Sequence, residues 1–83
     1  MIVVRVDKWP DGDAHRATNL GVIAIANRGL SDKEDPSPND MDLFDYEVMY
    51  QPLKGRRRRA YISHYRRRGV LKLVERALEA VSG

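Results

Sequence analysis

The chain contains no cysteine. Disulfides and thiolate metal sites are therefore excluded, and the composition fits a reducing cytoplasm. No apolar run approaches the ~18–20 residues that a membrane-spanning helix needs, so no membrane partner is expected. The opening residues, MIVVRVD, lack the basic start and long apolar stretch of a secretion signal. Lipidation motifs and internal repeats are missing too. No glycine-rich phosphate loop occurs, since the surroundings of Gly12 and Gly21 match none of its patterns. Histidine is scarce. His15 and His64 are the only two, far apart and outside any motif. Ser63 and His64 are neighbours, but adjacent strand residues point to opposite faces and cannot form a nucleophile–base couple.

Carboxylates crowd together in residues 31–42, SDKEDPSPNDMD, where two prolines and five acids occupy twelve positions. Such a segment cannot build a core and reads as a mobile acidic loop. It lacks the central glycine and terminal glutamate of an EF-hand, so calcium is not expected. The chain therefore reads as a non-enzyme with no cofactor and no metal.

What remains is a single small domain. Eighty-three residues, 42% of them apolar, suffice for one modest core. The net charge of +3 hides an asymmetry. Residues 1–50 hold five Lys/Arg against ten Asp/Glu, whereas residues 51–83 hold ten against two. Such a split suggests a polyanion-binding half, or two halves that neutralise each other. Arginine outnumbers lysine eleven to four. That favours bidentate phosphate contacts and stacking, although a GC-rich genome also enriches arginine.

Hydrophobic periodicity predicts the elements. Ile2, Val4 and Val6 share one face of a first strand ending at a Trp9-Pro10 turn, with Trp9 a partly buried edge of the core. Residues 20–27, LGVIAIAN, predict a second strand with Ile23 and Ile25 inward and Val22, Ala24 and Ala26 opposite. Residues 43–51, LFDYEVMYQ, alternate most clearly, with Phe44, Tyr46, Val48 and Tyr50 inward. Residues 57–65 predict a fourth strand, with Ala60, Ile62 and His64 inward. Val70, Leu73, Val74, Ala77, Leu78 and Val81 recur at helical spacing. The expected fold is α+β: a four-stranded antiparallel meander with one C-terminal helix packed on one face.

The functional question centres on KGRRRRAYISHYRRRG, residues 54–69, in which seven arginines fall within thirteen residues. A run this dense repels itself and needs solvent, acidic neighbours or a polyanion. Even parity between the third and fourth strands puts Val48 opposite Ala60 and Glu47 opposite Tyr61. The uncovered face then carries Arg57, Arg59, Tyr61, Ser63, Tyr65 and Arg67. Arginines beside two tyrosines suit single-stranded nucleic acid, with rings stacking on bases and guanidiniums on phosphates. The candidate binding residues are Arg56, Arg57, Arg58, Arg59, Tyr61, Tyr65, Arg66, Arg67 and Arg68. If about five of the seven arginines met phosphates, log K against log salt would slope by about 4–5.

Other readings stay open. Asp45, Glu47 and the acidic loop could lie over the same arginines and neutralise them. The chain could be a protein-interaction module, and an exposed edge strand offers a route to homo-oligomers. Residues 56–68 could form an arginine-rich RNA-binding helix, although Tyr, Ile, Ser, His and Tyr favour a strand.

MIVVRVD at the start and GVLKLVERALEAV near the end, after a basic stretch, resemble small uncharacterised proteins of tailed phages and prophages of actinobacteria and other GC-rich hosts. The resemblance implies an accessory protein in the host cytoplasm that binds a host or phage protein. It carries no residues to transfer.

Overall fold

Side chains alternate across an extended backbone, so a run of alternating apolar residues closes a sheet over one core face. The computed structural model describes residues 1–9, 18–31 and 43–82. Within them lie β1 (Ile2–Lys8), β2 (Thr18–Leu30), β3 (Leu43–Pro52), β4 (Arg58–Arg66) and α1 (Val70–Ser82). The strands form one antiparallel sheet in the order β1-β2-β3-β4, with β1 and β4 as its edges. This is the expected α+β meander with a C-terminal helix. The acidic segment 32–42 with its calcium reading, the turn that follows Trp9, and His15 lie outside the described residues. No described helix is long and apolar enough to cross a membrane.

The helix packs chiefly on β4 and β3. Ile23, Ile25, Tyr46, Val48 and Ile62 from the sheet are buried against Leu73, Ala77 and Val81. Full burial of a large apolar side chain stabilises by about 1.5–3 kcal/mol. The inward assignments in β2 and β3 hold, with Phe44 and Tyr50 packed around this cluster. Trp9 sits half-exposed at the end of β1, beside Val74 and Leu78. The helix buries a narrower stripe than its periodicity predicts, and Val70 is 61% exposed.

Each strand pair carries one register shift. Two of these use the same three-residue device, Asn19-Leu20-Gly21 and Asn27-Arg28-Gly29. In each, the asparagine Oδ1 accepts a hydrogen bond from the glycine amide two residues on, at 2.9 and 2.7 Å. This local bond competes with the ladder and expels the middle residue from pairing. A Cβ on Gly21 would lie 2.3 Å from the Gln51 carbonyl oxygen, so only glycine lets β2 approach β3 there. Gly29 has φ +103°, a conformation that other residues adopt at a cost. These irregularities let β2 run on to Leu30, beyond its expected end.

The third shift lies between β3 and β4. Phe44 pairs with Tyr65 and Tyr46 with Ile62, so Asp45 faces both Ser63 and His64. His64 takes φ +58° there. The inward position expected for His64 is thus corrected: it is the bulged residue and is exposed.

The Gly69 carbonyl accepts the first helical bond, from the Leu73 amide at 3.2 Å. The last turn of α1 has no basic residue of its own. Arg58 of β4 donates from Nη1 to the Val81 carbonyl at 3.2 Å instead. A cation thereby meets the negative end of the helix dipole.

Candidate nucleic-acid interface

An edge strand offers both of its faces to one rim of the sheet, and β4 is such a strand. On the face away from α1, Arg59 pairs with Met49 and Tyr61 with Glu47, in the register expected from parity. Arg57 joins them through Nε, which donates to Gln51 Oε1 at 3.1 Å. Tyr61 is 71% exposed, so its ring is open to a stacking partner.

Tyr65 does not share that face, which corrects the expectation. A one-residue insertion reverses the alternation of everything after it. The bulge at His64 therefore turns Tyr65 to the helix side. There it stands edge-on to Tyr46, with ring centroids 6.1 Å apart and planes at 80°. Its outer side lines a groove with Arg66, Arg68, Lys72 and Arg76, into which Glu75 and Glu79 also reach.

Arg67 is displaced from the open face for the same reason. Its Nε donates to the Tyr46 hydroxyl at 3.1 Å, and its Cζ lies 4.8 Å from the centre of the Phe44 ring. Arg67 thus satisfies the one polar atom of the buried Tyr46 side chain and packs on an aromatic face. Arg58 is committed to Val81 as described. The seven arginines divide into two tied to the fold, Arg58 and Arg67, and five at the rim: Arg56, Arg57, Arg59, Arg66 and Arg68.

Of the acids expected to neutralise this rim, Asp45 and Glu47 lie among the described residues, and both are engaged elsewhere. Glu47 is held by Arg28, whose Nε donates to Oε2 at 2.9 Å and whose Nη2 reaches the same oxygen. That hydrogen bond, then the Coulombic attraction, raises the Arg28 guanidinium further above its ordinary pKa. Asp45 closes the bulge. It accepts from Ser31 Oγ at 2.6 Å and from the His64 amide at 3.1 Å. The Ser31 bond first, and the amide second, hold its carboxyl below the usual range. Arg56, Arg59 and Arg68 consequently have no acidic partner among the described residues.

Sequence reasoning missed Arg28, the acid's actual partner. The Asn-x-Gly signature that makes Arg28 a bulge residue was its available signal. Sequence reasoning also missed Lys72 and Arg76 of the helix, which line one groove with Arg66 and Arg68. Comparison of the chain with protein-family models, with curated proteins and with solved structures gives no match.

Proposed function

We propose that the chain binds single-stranded nucleic acid along the β4 rim. Arg56, Arg57, Arg59 and Arg68 hold phosphates and Tyr61 stacks on a base. The observation that carries this reading is the pairing of Glu47 with Arg28. It neutralises the acid paired with Tyr61 and leaves that side of β4 cationic among the described residues. Arginines on an edge also deter strand addition by other chains, but that role does not call for an exposed phenol between them. The test titrates fluorescent single-stranded RNA, single-stranded DNA and duplex DNA at two salt concentrations. Single strands bind at about micromolar Kd or tighter in low salt, and more tightly than duplex. Binding weaker than about micromolar for all three removes the proposal.

A second reading, a protein-interaction module, is favoured by the uncovered sheet face. Val3 is 62% exposed, and Val22, Ala24 and Met49 continue from it towards Arg59. Partner capture at high salt that survives Arg57→Ala and Arg59→Ala supports this reading over nucleic acid.

A further inference from the structure

A cleft of about 520 Å³ opens where the turn between β3 and β4 meets the end of α1. Its floor is apolar, formed by Val6, Leu20, Leu78 and Val81, and the Tyr50 ring and Pro52 add flat walls. Its mouth carries Lys54, Arg56 and Arg58, and no carboxylate side chain of the described residues lines it. The volume falls within the ~300–1,000 Å³ of small-molecule pockets, which combine apolar walls with a few convergent polar groups.

The walls are set before any ligand arrives. The Tyr50 hydroxyl donates to the Leu20 carbonyl at 3.2 Å, and the Leu53 amide donates to the same oxygen at 2.9 Å. Arg58 is held by the Val81 carbonyl, which uses one of its five donors and leaves others for a ligand. A site already ordered loses less entropy on binding.

The chemistry narrows the ligand. Three cations at one mouth suit a compact head carrying more than one negative charge. A phosphate monoester, at about −1.5 to −2 near neutral pH, is such a head. The final carbonyls of α1 repel an anion at Val81 and direct it towards Lys54 and Arg56. The apolar floor and flat walls need an aromatic body attached to that head. We propose that this cleft binds a nucleoside monophosphate, free or at the end of a strand. This assignment does not depend on the rim reading, since only Arg56 is common to both.

The test is methyl NMR of the full chain titrated with adenosine monophosphate, adenosine and inorganic phosphate. The nucleotide shifts the Leu78 and Val81 methyls and saturates below about 1 mM in low salt. Adenosine and phosphate each bind about tenfold more weakly, lacking head or body. Lys54→Ala with Arg56→Ala, both on an exposed turn, weakens the nucleotide about tenfold, whereas Arg57→Ala with Arg59→Ala leaves it unchanged. Shifts centred on Tyr61, phosphate binding as well as the nucleotide, or an unaffected Lys54/Arg56 variant overturns the assignment. A terminally phosphorylated oligonucleotide that binds more tightly than its hydroxyl counterpart identifies a strand end as the ligand. Equal binding of the two, with the nucleotide shifts intact, identifies the free nucleotide. Nucleotide binding without strand binding removes the rim reading alone, and strand binding without nucleotide binding removes the cleft alone.

Discussion

Salt dependence tests whether the arginines are sorted as the structure places them. Arg58 and Arg67 are spent on Val81 and on the Phe44–Tyr46 pair. Four of the remaining guanidiniums, Arg56, Arg57, Arg59 and Arg68, have a neutral partner or no acidic one among the described residues and are assigned to phosphates. Single-stranded contacts contribute about 0.7 each to the slope of log K against log salt, so four give about 2.8. A fourfold rise in salt then weakens binding by about 50-fold. Arg59→Ala removes one contact and lowers the slope to about 2.1, so the same rise costs about 20-fold. Arg67→Ala leaves the slope alone but lowers stability, because it removes a cation–π contact of about 0.5–1 kcal/mol and the bond to Tyr46. Fluorescence anisotropy of a labelled oligonucleotide across a salt series measures the slopes, and urea unfolding measures stability. A slope near zero, or one that Arg67→Ala reduces as much as Arg59→Ala, refutes the reasoning.

The two tyrosines are expected to separate. Tyr61→Ala lowers single-strand affinity by about 1–3 kcal/mol with Tm unchanged, whereas Tyr65→Ala costs about 2 kcal/mol of folding stability through its contact with Tyr46. Equal effects on both readouts would contradict the reversal of faces at the bulge. Asp45 makes stability depend on acid. Its folded pKa is lowered, so its contribution is present above the ordinary carboxylate value of about 3.9 and disappears as pH falls through the folded value. Asp45→Asn therefore has a lower Tm than the parent at neutral pH, with a gap that closes on acidification, and a constant gap in thermal melts would count against the bulge clasp. Gly21→Ala costs at least about 2 kcal/mol, because its Cβ meets backbone at 2.3 Å. Gly29→Ala, with open space around it, costs about 1 kcal/mol. Urea unfolding that ranks them in the opposite order contradicts this.

Much of the fold was legible because one-sided burial leaves a periodic trace. Ile23 and Ile25, then Tyr46 and Val48, repeat every second residue, while Leu73, Ala77 and Val81 repeat every fourth. Those periods specify strands and a helix, and the unequal charge of the two halves specifies which half is cationic. The pairing of Glu47 with Tyr61 also followed, since parity and a short turn leave few registers.

The composition of the site was less legible. Alternation counts residues and does not report an extra one, so Tyr65 and Arg67 were expected on the wrong face. The bulge at His64 is held by Ser31 and Asp45, which lie far away in sequence and come together only when β2, β3 and β4 assemble. In the same way Glu47 chose Arg28 over the arginines of β4, a choice between neighbours that exist only across the sheet. Sequence determined which elements form and how much positive charge the third quarter carries, because both depend on local periodicity and composition. Tertiary structure decided which guanidiniums and which phenol face water, because that depends on partners contributed by other strands.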